Sequence, residues 1–315
     1  MKIVIVGPGI MPIPPIGWGA VESLIWDYSE YLKKNGHDVL ITNTQNLNDV
    51  LHQINNYKPD VVHVQYDNYY PLLNHIKGPI KIITSHYGYI TNKMSGGYMH
   101  IMNGFKNSDA YIFCLSPEIK TIYQKFGISD DRLIVQPNGA DSNKFKYNEN
   151  ILYPDRSIYL AKITDRKKQY LYQNIPNLYF AGNKDDNRFN FNSSQYLGEW
   201  KKEYLYEHLT DYNNLILLSD GEAHPLVCCE ALVAGLGLVL SEYAAANLDL
   251  TKPFITVIPN NKLNDVKYVE EKIKENKEIC KKMRKEIREY GLNHFSWDNI
   301  VKLYINNING LIIKK

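Results

Sequence analysis

Ser219-Asp220-Gly221-Glu222-Ala223-His224-Pro225-Leu226-Val227-Cys228-Cys229-Glu230-Ala231-Leu232-Val233-Ala234-Gly235 is the stretch whose reading decides the fold. It follows Leu215-Ile216-Leu217-Leu218, a continuous apolar run of the kind found in parallel strands covered on both faces. From about His224 the pattern turns helical, with Pro225 suited to a first turn and Gly235 to a stop. Glu222 then stands at the helix entrance and Glu230 about two turns down. A helix amino end at the carboxyl end of a buried strand is a ready site for an anion, because unpaired N–H groups point out of it. Two acids beside such a site call for a ligand that carries hydroxyls as well as phosphate.

Working outward, the chain of 315 residues suits two domains, and a hydrophobic content of 44% supplies their cores. A net charge of only +2 implies no pull toward nucleic acid. Cys114, Cys228, Cys229 and Cys280 show no Cys-x-x-Cys spacing and read as packed thiols in a reducing, cytoplasmic setting. Met1 to Gly7 reads as a first strand, not a signal peptide, and no apolar run is long enough to span a membrane. The 25 tyrosines are put down mainly to compositional bias.

Strand-like and helical runs alternate from the start: Ile3 to Val6, Ala20 to Lys34, Val39 to Thr42, Leu47 to Tyr57, then Val61 to Gln65, Ile80 to Ser85 and Ala110 to Cys114. Pro117 to Phe126 reads as a helix and Leu133 to Gln136 as a last strand. The periodicity lapses between Asp141 and Asp155, which places a domain boundary near residue 150. A second series follows, with strands near 157–161, 178–181, 215–218 and 238–240 and helices near 168–173 and 200–208. The expectation is α/β: two doubly wound domains, 1–150 and 151–295, facing a crevice, with 296–315 as a closing helix. The Lys- and Glu-rich tail from Asn260 to Tyr290 reads as a solvated helix laced with ion pairs.

Other segments offer candidate chemistry. Gly7-Pro8-Gly9 fails as a dinucleotide fingerprint, because Pro12 holds the third glycine position and Asn43 ends the second strand. Gly17-Trp18-Gly19-Ala20 ends a Pro-stiffened loop at a helix start; it is either a tight turn or a place where backbone approaches a ligand. His86 lies just beyond the fourth strand, where such sheets face their ligands. Lys162 and Lys167 bracket a turn after a buried strand and form either an exposed basic loop or a diphosphate clamp, while Arg166 and Lys168 read as solvent-facing. Asp185-Asp186 reads as a polar loop, since no Asp-x-Asp spacing and no zinc-spaced His or Cys cluster occurs in the chain.

The segment from Glu222 through Glu230 to Gly235 resembles the signature of retaining glycosyltransferases of the GT-B fold, most closely glycosyltransferase family 4. Gly17 to Glu22 resembles that family's first-domain glycine loop, Gln136-Pro137-Asn138-Gly139-Ala140-Asp141 its Pro-Asn-Gly segment, and Phe295-Ser296-Trp297-Asp298 the start of its closing helix. The resemblance implies a hexosyltransferase-like enzyme in which Glu230 meets the ribose and Glu222 the donor sugar. It further implies that N–H groups near His224, Leu226 and Val227 meet the diphosphate, that Lys162 and Lys167 neutralise it as it leaves, that His86 lies near the reacting sugar, and that Gly17 and Gly19 face phosphate or acceptor. Lys162 departs from the family's usual Arg and loses its fork. The expected donor is a nucleoside-diphosphate sugar, UDP-linked in preference to GDP-linked, and the acceptor a glycan, a lipid-linked sugar or a small molecule. No cofactor and no metal are expected, no nucleic acid is bound, and membrane contact is at most peripheral. A sugar-nucleotide epimerase of similar architecture and a non-catalytic nucleotide-sugar or glycan-binding module are the competing readings.

Overall fold

The computed structural model describes residues 1–16, 19–92 and 94–314. The chain forms two compact units, Met1–Asn138 with Trp297–Lys315 and Gly139–Ser296. In the first lie β1 (Lys2–Val6), α1 (Ala20–Lys34), β2 (Asp38–Thr42), α2 (Leu47–Tyr57), β3 (Val61–Val64), β4 (Ile80–Ile83), α3 (Tyr98–Asn107), β5 (Tyr111–Cys114), α4 (Pro117–Lys125) and β6 (Leu133–Val135). The second holds β7 (Tyr153–Leu160), α5 (Gln169–Tyr172), β8 (Leu178–Ala181), α6 (Lys202–His208), β9 (Tyr212–Leu217), α7 (Leu226–Val233), β10 (Gly237–Ser241), β11 (Ile255–Ile258), α8 (Val266–Lys282) and α9 (Arg284–Phe295). A last helix, α10 (Trp297–Lys314), belongs to the first unit.

Among the described residues the first sheet runs β2-β1-β3-β4-β5-β6 and the second β11-β10-β9-β7-β8, with parallel pairings. Strands such as Ile3-Val4-Ile5-Val6 are wholly buried, as parallel strands covered on both faces must be. Helix ends follow local chemistry. Asn46 accepts the Asn48 N–H at the start of α2, and Ser116 accepts the Ile119 N–H before Pro117 opens α4. In α1, Glu22 in the first turn and Lys33 and Lys34 in the last complement the helix dipole. Its buried stripe includes Tyr28, whose ring centre lies 4.6 Å from that of Trp297, so α1 and α10 share one aromatic seam.

The polar stretch expected to divide the domains lies inside the second unit, and the division falls after Asn138. Bonds that tie that stretch down include Lys146 N–H to Tyr206 O (2.9 Å), Asn148 N–H to Thr210 Oγ1 (3.0 Å) and Arg288 Nη2 to Ser142 O (3.0 Å), and just before it Ala140 N–H bonds Phe295 O (2.8 Å). Phe145, buried edge-on against Tyr206, supplies an apolar contact in a segment otherwise too polar to read as packed.

The Lys- and Glu-rich tail is two helices, parted at Met283, with exposed pairs such as Lys274–Glu270 and Lys272–Glu275, both 2.6 Å. It is not solvated throughout. Arg284 is buried, donates to Tyr212 O at 2.9 Å and to Thr210 Oγ1 at 2.9 Å, and burial lowers its pKa to about 10.

Close approach sets α9 against α7. A Cβ at Gly291 would stand 2.5 Å from the carbonyl carbon of Leu232, whereas one at the equally helical Gly310 meets nothing within 4 Å. Gly291→Ala is therefore expected to destabilise the protein by about 1–3 kcal/mol. Gly310→Ala is expected to be neutral or to stabilise it by about 0.5–1 kcal/mol. Urea unfolding of the two variants beside the parent checks both.

Candidate active site

The site in the second unit grows out of two loops, one after β7 and one after β9, which are neighbours in the sheet. Tyr159, wholly buried on β7, accepts the Leu218 N–H at 3.0 Å and donates its own hydroxyl hydrogen to Lys167 O. Arg166 O takes the Asp220 N–H (2.9 Å), and the Arg166 guanidinium donates to Gly221 O (2.8 Å). Ser241 Oγ donates to Ser219 O at 2.6 Å, anchoring the second loop to β10.

This lacing brings Lys167 and Glu222 together. Both side chains are about nine-tenths buried, and the ammonium bonds Glu222 Oε1 directly. Arg166 Nη1 stands 3.6 Å from Glu222 Oε2. Burial alone pushes the Glu222 carboxyl up, but the charges of Lys167 and Arg166 outweigh it and hold the group below its usual 4.5. Arg166 and Lys168 are not the solvent-facing residues expected from sequence: the first grips Gly221 and Glu222, and the second pairs with Asp220. Lys162 is the exposed one. Its ammonium sits 3.0 Å from Asp185 Oδ2, with both side chains more than half exposed.

After Glu222 the chain enters α7, which starts at Leu226 and not at His224. Pro225 caps it in an extended conformation (φ −71°, ψ 118°), and the residue before a proline is disfavoured in helical geometry. No side chain caps this end, so the half-buried Leu226 and Val227 carry the first N–H groups of the helix. Glu230 lies one turn further on, half-buried. Gly235, at φ +87°, ends the helix in the left-handed conformation that glycine tolerates. The His224 side chain does not belong to an open donor site. Its ring is buried against Phe295 (5.9 Å between centres) with Nε2 3.7 Å from Cys229 Sγ, and burial lowers its pKa to about 3.

The first unit holds the other candidates. Gly19 caps α1 and accepts the Ser23 N–H at 2.8 Å; a Cβ there would lie 2.9 Å from the movable Glu22 Oε2 and 3.2 Å from Pro15 Cβ. Gly17 lies outside the described residues. His86, half-buried beyond β4, bonds Gln65 Oε1 through Nε2 at 2.9 Å, and loss of hydration lowers its pKa to about 4. Gln65 continues to His63 Nδ1 (3.3 Å), which bonds Tyr304 Oη (3.1 Å), while His63 Nε2 meets Thr84 Oγ1 (2.8 Å). Burial foremost, then the nearby His86, lowers the His63 pKa to about 3. Sequence reasoning missed Gln65, His63 and Tyr159; each lies within or just past a strand whose apolar run masked it.

Among the described residues, no group of three or more His, Cys, Asp or Glu side chains could hold a metal ion. Asp186 is engaged by Arg188 Nε at 2.8 Å. All four cysteines are free and buried, and no described helix is long and apolar enough to cross a membrane.

Residues 42–144 match the model of Glycosyltransferase Family 4. No curated protein sequence matches the chain. Among solved structures it is similar to sucrose-phosphate synthase from Thermosynechococcus elongatus, with TM-score 0.78 at 15% identity and full coverage of both chains. It is also similar to HepE of Anabaena in complex with UDP and glucose, with TM-score 0.73 at 12% identity over 98% of this chain and 100% of that one. WaaG, a glycosyltransferase of lipopolysaccharide biosynthesis, aligns with TM-score 0.69 at 14% identity over 98% of this chain and 100% of its own.

Two predictions test this geometry. Lys167→Met leaves a buried carboxylate with only the more distant Arg166, and is expected to cost about 3–5 kcal/mol, most of it recovered in the double variant Lys167→Met/Glu222→Leu; a urea-unfolding double-mutant cycle measures it. His63, His86 and His224 stay neutral in the fold, with pKa values of about 3, 4 and 3 against an ordinary 6.5. Below pH 6.5 the unfolded chain therefore binds more protons than the folded one, so stability falls as pH is lowered from 6.5 toward 4. His86→Gln is expected to flatten part of that slope when unfolding is followed at several pH values.

Proposed function

We propose that this chain, a glycosyltransferase of the family 4 type on the GT-B fold, moves a sugar from a UDP-sugar to a hydroxyl of a glycan or other acceptor, with retention at the anomeric carbon and without a metal. The observation that carries the reading is the buried Lys167–Glu222 pair beside Arg166, followed directly by the uncapped amino end of α7. Cleaving a glycosyl–phosphate bond builds positive charge on the sugar and negative charge on the departing diphosphate. Fixed cations and a helix dipole aimed at the phosphates then favour the transition state over the ground state.

In this reading the Lys167 ammonium, which has three donors and spends one on Glu222, offers the others to the diphosphate. Arg166 adds a second cation, in the role that the resemblance gives to Lys162. The N–H groups of Leu226 and Val227 meet phosphate oxygens, Glu230 takes the ribose hydroxyls, and Glu222, held ionised by its neighbours, accepts from sugar hydroxyls. These groups supply the charge compensation that a divalent ion would otherwise provide. His86, which the family resemblance puts near the reacting sugar, is neutral at physiological pH and so is a hydrogen-bonding group and not a cation. The preference for uridine is supported by the similar HepE structures, which hold UDP and UDP-glucose. The free, buried cysteines support action in the cytoplasm.

A donor panel decides the matter. UDP should raise the melting temperature more than GDP does, by mass action, and UDP-sugar turnover should survive EDTA and give a product of unchanged anomeric configuration by NMR. Lys167→Ala should lower kcat by about 10²–10³, the scale for losing one preorganised charge-stabilising donor, with Arg166→Ala next in effect. Turnover of GDP-sugars alone, inversion, or abolition by EDTA would each defeat the corresponding part of the proposal.

A further inference from the structure

The second unit carries a hollow of about 580 Å³ that the proposed transfer does not use. Tyr153 and Tyr212 line it, and these are the first residues of β7 and β9. It therefore opens at the amino ends of the strands whose carboxyl ends lead to Lys167 and Glu222. With β9 six residues long, the two places stand roughly 20 Å apart along the strand. The volume lies inside the range of about 300–1,000 Å³ typical of small-ligand sites.

Its surface is a ribbon of rings. Centre-to-centre distances are 5.7 Å from Tyr153 to Tyr212, 5.9 Å from Tyr212 to Trp200, 5.1 Å from Trp200 to Tyr204 and 4.1 Å from Tyr204 to His208. The Arg156 guanidinium is sandwiched 4.2 Å from the Tyr153 ring centre and 4.7 Å from that of Tyr179. Trp200 and Tyr212 are buried as the floor, whereas Tyr204 is 49% exposed. Tyr, Trp and Arg are the residues that most often anchor a bound partner, because they offer large rigid faces with a polar tip.

The polar groups narrow the ligand. Asp211, itself buried, bonds His208 Nδ1 at 2.8 Å, and Glu199 and Lys201 complete the lining with Arg156. Two carboxylates thus face two cations, a balance that recruits neither an anion nor a cation by its field. A lipid chain would cover those charged groups while offering them no hydrogen bond, at a cost in desolvation. A pyranose answers both features, since it has an apolar C–H face for a ring and an edge of hydroxyls that donate to carboxylates and accept from guanidinium or imidazole. We propose that this hollow is a second saccharide site, separate from the donor site, which takes a short neutral oligosaccharide with one sugar face on Tyr204 and hydroxyls on Asp211, Glu199 and Arg156.

Calorimetry and saturation-transfer NMR on the full chain with maltotriose, cellotriose and chitotriose, with and without saturating UDP, test this. At least one trisaccharide is expected to bind under both conditions, with Tyr204→Ala weakening it about tenfold and Tyr204→Phe, which keeps the ring, binding as the parent does. Tyr204 is exposed enough for its variants to fold, as their melting temperatures will show; Arg156→Ala, which removes the guanidinium that lines the same hollow, is expected to weaken binding too. The proposal is overturned if none of the three sugars binds, if Tyr204→Ala binds as well as the parent, or if UDP displaces the sugar and Glu222→Ala abolishes binding, which would place it at the donor site.

Discussion

Burying a carboxylate is costly unless a cation is buried with it, and the second unit is arranged around that constraint at Lys167 and Glu222. Fifty-five residues separate the two in sequence. They meet because β7 and β9 are adjacent and because the Tyr159 hydroxyl fastens the loop after one strand to the end of the other. Arg166 then adds a second cation, so that the acid stays ionised despite its burial. A pair of this kind is weak evidence for stability. In the proposed transfer its value lies in presenting charge, already oriented, where charge develops.

The helix that completes the site depends on different forces. α7 is apolar on nearly every face, as a helix enclosed by other elements must be, and the contact at Gly291 lets α9 lie directly on its backbone. Buried Arg284 ties the start of α9 to Tyr212 O at the start of β9 and to the Thr210 hydroxyl just before it. In the first unit the corresponding lock is aromatic and hydrogen-bonded. Trp297 and Tyr304 of α10 pack on Tyr28 and His63, and the chain of bonds from Tyr304 through His63 and Gln65 ends on His86.

Much of the framework is legible locally. Parallel strands buried on both faces read as apolar runs, and helices such as α1 and α2 declare themselves through periodicity and caps, so their limits agree with the residues that sequence suggests. Elsewhere polar residues conceal buried structure. β9 begins at Tyr212, ahead of the apolar run, because Asn213 and Asn214 are buried with their amides bonded to Pro154 O and Asn276 Oδ1. β11, with its sequence Ile255-Thr256-Val257-Ile258, and α3, which contains Gly104, carry weaker local signals and owe their state to the elements they pack against.

The sequence by itself determined the alternation of strands and helices, the presence of a helix after a buried strand, and the residue types gathered there, because periodicity, proline and glycine act over a few neighbours. Only the tertiary structure decided which cation meets Glu222. Sequence offered Lys162 and Lys167 on equal terms and set Arg166 aside, yet the fold turns Lys167 and Arg166 inward and leaves Lys162 on the surface with Asp185. That choice rests on strand order, on one buried tyrosine and on a loop some twenty residues further along. Side-chain partners so far apart in the chain leave no local pattern, since the energy that pairs them exists only once the strands between them have folded.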